Sequence, residues 1–84
     1  MQTIDHVITD KQGVHARPVA RICAAATPFE STIELEACGR TASAKDLMQV
    51  MAASYMYGEK LHVTIEGADE EAAAQALRPV IEGL

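Results

Sequence analysis

Residues 13 to 18 read Gly13-Val14-His15-Ala16-Arg17-Pro18 (GVHARP), and the fold turns on how this stretch is parsed. Before it, Ile4, His6 and Ile8 alternate with Thr3, Asp5, Val7 and Thr9, the period of two of a half-buried strand, blurred only by Val7. After it, Val19, Ile22, Cys23 and Ala26 recur at the three-four spacing of one helical face, while Arg17 and Arg21 lie four apart on another. The change of period predicts a strand over residues 2–9, a turn at Asp10-Lys11-Gln12-Gly13, and a helix from Ala16 to Thr27. Pro18 suits the first helical turn, where amides have no intrahelical partner, and Pro28 marks the other end. His15 is thereby left at the amino-terminal lip of the helix.

Working outward, STIELEA (31–37) alternates Ile33 and Leu35 with Glu34 and Glu36, and Cys38-Gly39-Arg40 turns the chain into a short strand at Arg40–Ser43, a β-hairpin. Asp46-Leu47-Met48-Gln49 places a capping carboxylate three residues before a Gln, the capping-box pattern, ahead of a short helix reaching about Ala53 with Val50 pointing inward. Beyond Gly58, Leu61, Val63 and Ile65 alternate with His62, Thr64 and Glu66, which predicts a strand over Lys60–Glu66. Asp69-Glu70-Glu71 supplies a cap and negative charge to a last helix whose apolar face is Ala73, Ala76, Leu77, Val80, Ile81 and Leu84. Pro79 inside it, which can cost about 3 kcal/mol, predicts a kink or an early end near Arg78. The order β-α-β-β-α-β-α is that of an α+β fold in which helices cover one face of a small antiparallel sheet. Residues 1–84 leave room for a single domain, without repeats.

Composition narrows the function. Apolar residues are 49% of the chain, with no Trp and one Phe, so the core is to be built from Ala, Val, Ile, Leu and Met. No apolar run approaches the roughly 18 residues that span a bilayer, and MQTIDHVITD has neither the basic region nor the apolar stretch of a signal peptide, which points to the cytoplasm. A net charge of −5 disfavours nucleic acid and anionic lipid as partners. Cys23 and Cys38 lack a CxxC spacing and are expected to be buried or half-buried thiols. His6 and His62 each stand alone on a strand without a second ligand at useful spacing, so neither a metal nor any other cofactor is expected.

Against this acidic background, Lys11 to Thr27 contains no carboxylate, and Arg17, Arg21 and Lys45 could form a positive patch. The first amides of a helix are unsatisfied donors with partial positive charge, a natural seat for an anion. A neutral imidazole is a competent nucleophile near neutral pH. A phosphoryl group on His15 would lie beside the amides of Ala16 and Arg17, with the Arg17 guanidinium as a clamp. Gly13 would let the loop turn tightly. One His and one Arg are a weak motif by themselves, and a plain loop histidine beside a solvated arginine fits them too.

At this point the sequence resembles, over essentially its whole length, the histidine-containing phosphocarrier (HPr) family of the phosphoenolpyruvate-dependent sugar phosphotransferase system. GVHARP looks like the family's phosphorylation motif, TASAKDLM like its second-helix entry, and GEKLHVTIEGADEEAA like its fourth strand and the start of its final helix. The resemblance implies an open-faced β-sandwich of four antiparallel strands and three helices. It implies that His15 accepts a phosphoryl group on Nδ1 from enzyme I and passes it to an enzyme II A-type domain, with Arg17 steadying it. Leu47, Met48 and Met51 look like the family's apolar docking patch, with ordinary helix packing as the alternative, and flexible methionines suit a surface that meets several partners. Arg21 and Lys45 would add charge at the docking face.

Asp46 stands where many low-GC Gram-positive relatives carry a regulatory serine, so the chain offers no hydroxyl for that form of kinase control. Its carboxylate can cap the helix as a serine would, or partly imitate the phosphorylated state. Ala24, Thr27 and Gln49 occupy places where some relatives are basic. Without a Gly-rich phosphate loop or paired carboxylates near His15, the chain reads as a monomeric substrate of transferases rather than a catalyst. The alternatives are a carrier in a nitrogen-related or other regulatory relay, and a regulatory module that binds a transcription factor or enzyme. A small hydrolase of acyl phosphates is disfavoured because the chain contains no Asn to position water.

Overall fold

In the computed structural model, which describes residues 1–84, the chain runs β1 (Gln2–Val7), α1 (Ala16–Ala26), β2 (Thr32–Ala37), β3 (Arg40–Ser43), α2 (Leu47–Ala53), β4 (Lys60–Glu66) and α3 (Glu70–Glu82). The strands form one antiparallel sheet in the order β1-β4-β2-β3. The strand with the cleanest alternation, β4, is central, with Val63 opposite Ile4 on one side and Leu35 on the other. Period two sorts its residues: Leu61, Val63 and Ile65 are buried under the helices, while Glu66 is exposed and His62 and Thr64 half-exposed on the open face. The result is the open-faced sandwich the alternation implies.

The helices bury Val19 and Ile22 (α1), Val50 (α2) and Leu77 and Ile81 (α3) against Ile4, Leu35, Leu61 and Ile65 of the sheet. Each such side chain contributes about 1.5–3 kcal/mol of apolar burial. Ala26, Ala73 and Ala74 are buried as well, so α1 and α3 pack through small residues. Two expectations about the core change. All four methionines, Met1, Met48, Met51 and Met56, are exposed, and the large side chain that joins the aliphatic core is Tyr55. Its hydroxyl lies 3.1 Å from both the Leu35 and Arg40 carbonyl oxygens, which satisfies the one polar atom it buries.

Element ends differ from the sequence reading where tertiary bonds intervene. β1 stops at Val7, although Ile8 keeps both backbone bonds, donating to Glu59 O (3.0 Å) and accepting from Gly58 N–H (2.8 Å). The Thr9 and Asp10 amides turn away to Leu84 O, at 3.0 and 2.9 Å. α1 ends at Ala26, with Thr27 as its cap. α3 neither stops nor breaks near Arg78 but runs through Pro79 to Glu82. The carbonyl that Pro79 leaves without a partner belongs to Gln75, which is exposed to water, while buried Leu77 and Ile81 hold both sides of the proline against the sheet. Asp69 precedes α3 without capping it by its side chain. Its carboxylate instead accepts from the amides of Glu30 (2.8 Å) and Ser31 (2.9 Å) and from the Ser31 hydroxyl, tying α3 to the start of β2. These donors, the Ser31 hydroxyl first, hold its carboxyl below the usual range. Cys23 is half-buried as expected, but Cys38 is exposed, because the β2–β3 connection is a two-residue turn with positive φ at Cys38 (52°) and Gly39 (80°).

Candidate functional site

His15 is the residue just ahead of α1, with an extended backbone (φ −99°, ψ −171°) and a side chain that makes no capping bond. The first bond of the helical ladder runs from Val19 N–H to His15 O (3.0 Å). The amides of Ala16 and Arg17 precede that ladder, and Pro18 has no N–H. Two donors at the positive end of the helix dipole therefore stand beside the imidazole, and His15 is half-exposed and open to approach.

The loop that presents His15 is fixed from behind. Val14 is buried and donates its N–H to Tyr55 O (2.9 Å), and Gly13 donates to Asp10 O (2.8 Å). Gly13 has φ +71°, and a Cβ there would lie 2.7 Å from Tyr55 O and 3.1 Å from Met56 Cα. Only glycine lets the two backbones approach this closely. The Tyr55 segment is braced in turn: Arg40 Nη1 donates to Ala53 O (2.5 Å) and Ser54 O (2.7 Å), Arg40 Nη2 pairs with Glu59, and the guanidinium sits 5.7 Å from the Tyr55 ring centre. Glu59 also accepts from Met56 N–H (2.7 Å), and that bond, with the Arg40 contact, lowers its pKa. Burial pushes the Tyr55 phenol up to about 12.

His15, Arg17 and Arg21 line one cavity of about 460 Å³ together with Pro18. Its other wall, which the sequence reading missed, comes from Pro79, Val80, Gly83 and Leu84 at the end of α3. The absence of a carboxylate between Lys11 and Thr27 holds, yet Asp10, one residue outside that stretch, also lines the cavity and brings Oδ2 to 3.7 Å from His15 Nε2. The signal was the turn itself, since Gly13 folds residue 10 back towards residue 15. Lys45 does not line the cavity; it is half-buried, and its carbonyl accepts from the Cys23 thiol (3.3 Å).

On α2, Leu47, Met48 and Met51 are 42%, 72% and 40% exposed, whereas Val50 is fully buried. Asp46 caps this helix, its Oδ1 accepting from the amides of Met48 (3.1 Å) and Gln49 (3.2 Å). The reciprocal half of the capping box differs from expectation: Gln49 donates to the Asp46 carboxylate (3.1 Å) and accepts from Ser43 N–H (2.9 Å). Met56 and Tyr57, exposed at 60% and 59%, add apolar surface beyond α2. They lie in a loop with no periodicity to flag them. Ala24, Thr27 and Gln49 are exposed and uncharged. On the open face of the sheet His62 pairs with Asp5 (Nδ1 to Oδ1, 2.7 Å), while His6 Nε2 is buried without a partner. No helix is long and apolar enough to cross a membrane.

Comparison with known proteins agrees with this geometry. A family model described as PTS HPr component phosphorylation site matches residues 2–83. A phosphocarrier protein HPr of Lysinibacillus sphaericus is 35% identical over 81 residues, covering 96% of this chain and 92% of the relative. A multiphosphoryl transfer protein of Vibrio cholerae is 44% identical over 73 residues, which span 83% of this chain and 18% of that longer protein. Among solved structures, a mycoplasma histidine-containing phosphocarrier protein superposes with a TM-score of 0.91 at 32% identity, covering 94% of this chain and 90% of the other.

Proposed function

The chain belongs to the HPr family of phosphocarrier proteins of the phosphotransferase system, a family of carriers rather than catalysts, and on that premise we propose that His15 takes a phosphoryl group on Nδ1 from phosphorylated enzyme I and hands it to enzyme II A-type domains. In the first step the Nδ1 lone pair forms an N–P bond as the donor's N–P bond breaks, and the bonding electrons return to the donor nitrogen. The second step is the same displacement with His15 as the leaving group. The observation that carries the reading is that His15, placed just ahead of a helix whose Ala16 and Arg17 amides precede the hydrogen-bond ladder, shares one open cavity with Arg17 and Arg21. The Ala16 and Arg17 amides and the Arg17 guanidinium hold the phosphoryl oxygens, and Arg21 adds charge along the same wall. The carrier supplies half of an active site, and the partner supplies the rest.

Leu47, Met48 and Met51 form the docking patch, with Lys45 at its edge and Asp46 as its cap. The likeness to a segment of a multiphosphoryl transfer protein supports phosphoryl-transfer proteins as the partners. Residues 1–84 act as one monomeric unit in the cytoplasm, and no cofactor enters the reaction. The test is intact-mass spectrometry after incubation with phosphoenolpyruvate and a heterologous enzyme I, on the parent, His15→Ala and Arg17→Ala. One acid-labile phosphoryl group on the parent, none on His15→Ala and slower uptake by Arg17→Ala is the expected result. Uptake by His15→Ala equal to that of the parent overturns it.

A further inference from the structure

The carboxylate beside the nucleophile has no part in the scheme above. Asp10 is held on three sides: its N–H donates to Leu84 O (2.9 Å), its carbonyl accepts from Gly13 N–H (2.8 Å), and its Oδ1 accepts from Gln12 N–H (2.9 Å). Those bonds leave Oδ2 free, and it faces His15 Nε2 at 3.7 Å. Arg17 and Arg21 share the cavity with Asp10, but neither forms an ion pair with it, so His15 is its one ionic neighbour.

A neutral imidazole carries its proton on one nitrogen and a lone pair on the other, and what each nitrogen faces decides which is which. A carboxylate attracts an N–H and repels a lone pair. At 3.7 Å the contact with Nε2 is electrostatic rather than a formed hydrogen bond, but the sign of the preference is the same. We propose that Asp10 is a positioning residue which keeps the proton on Nε2 and so presents the lone pair at Nδ1, selecting the atom that accepts the phosphoryl group.

This inference rests on His15 being the phosphoryl acceptor. When Nδ1 forms its bond to phosphorus with the proton still on Nε2, the ring gains a positive charge that is shared between its two nitrogens, one of which faces Asp10. The carboxylate offsets that charge as it develops. In the onward step the ring leaves with its electron pair restored to Nδ1 and its proton still on Nε2, so no proton has to move in either direction. Carboxylates that orient a histidine through its second nitrogen serve the same purpose in metal sites and hydrolases.

Asp10→Asn separates charge from structure, because the amide oxygen can still accept from Gln12 N–H, whereas Asp10→Ala loses both. With histidine-labelled protein, the nitrogen-15 shifts of the His15 ring report the tautomer in the parent and in each variant. Phosphoryl uptake from phosphorylated enzyme I gives the rate. The expected result is a parent ring protonated mainly on Nε2, a mixed population in both variants, and a transfer rate about 2- to 5-fold lower in both, the range open to a half-exposed charge contact. An unchanged tautomer ratio in Asp10→Asn, or a rate loss confined to Asp10→Ala, overturns the inference. If the parent itself takes up no phosphoryl group, the carrier reading fails instead, while the tautomer measurement still decides what Asp10 does to the ring.

Discussion

Replacing Gly13 by Ala tests how the His15 loop is held. Two costs combine. An L-residue with a Cβ pays about 1–2 kcal/mol to remain at a left-handed backbone angle such as the φ of +71° found here. The new Cβ would also sit 2.7 Å from Tyr55 O and 3.1 Å from Met56 Cα, both backbone atoms that cannot swing aside. Relief requires the Val14 N–H to Tyr55 O bond to open, a loss of about 1 kcal/mol. Alanine stiffens the unfolded chain and returns about 0.4–1 kcal/mol. The net destabilisation is about 1–2.5 kcal/mol, an appreciable fraction of the 5–15 kcal/mol typical of a folded domain.

Gly39→Ala is the internal control. Gly39 has φ +80°, but nothing lies within 4 Å of its added Cβ, so it incurs only the backbone cost. Urea unfolding of both variants then isolates the clash: Gly13→Ala should fall below Gly39→Ala by about 1 kcal/mol or more at equal m-value. Gly13→Ala should also accept phosphoryl groups more slowly under conditions where it remains folded, because the displaced segment leads directly into His15. Equal stability of the two variants would refute the argument that the Gly13–Tyr55 approach fixes the loop.

Three further outcomes follow from the geometry. Tyr55→Phe removes a buried hydroxyl from the Leu35 and Arg40 carbonyls and should cost about 1 kcal/mol at neutral pH. Since burial raises the folded phenol to about 12, while an unfolded tyrosine titrates near about 10, its stabilisation is complete below the lower value and is lost as pH rises through the upper. Alkaline unfolding should therefore be shallower in Tyr55→Phe than in the parent, and identical slopes would count against it. Met48→Asp changes a side chain 72% exposed, so its stability should stay within about 0.5 kcal/mol of the parent, while the apparent KM for phosphoryl uptake from enzyme I rises; an unchanged KM would remove Met48 from the docking surface. Asp46→Ser retains a cap but drops the charge, and it should speed uptake from enzyme I if Asp46 imitates a phosphorylated residue; a rate no higher than the parent's would leave Asp46 as a plain cap.

What was legible in the sequence was what burial decides locally. Leu61, Val63 and Ile65 announce β4 because every second residue of a half-covered strand must be apolar, and Val19, Ile22 and Ala26 announce α1 by the same logic at another period. Cys38-Gly39 marked the hairpin because a two-residue turn demands positive φ. His15 stood out by its place at the lip of a helix, and Arg17 and Arg21 by their charge against an acidic chain, and the three do share one cavity, which Lys45 does not line. The remainder depended on partners distant in sequence. Asp69 gives its carboxylate to Glu30 and Ser31 rather than to its own helix. Pro79 stays helical because the packing of Leu77 and Ile81 outweighs its local cost. The end of α3 closes the site through a crossing that no motif records.

The central place of β4 decides when the site comes into being. β1 waits for a partner until the chain has reached residue 60, since Val7 lies opposite Lys60 and Gln2 opposite Ile65. Val14 likewise waits for Tyr55. During synthesis, His15 is made well before its braces and remains on an unanchored segment until the chain has passed residue 60. Long-range pairing of this kind has to be closed before it is rewarded. A premature stop after the β2–β3 hairpin would thus release a fragment that contains the histidine and both arginines but lacks the seat that turns them into a receptor.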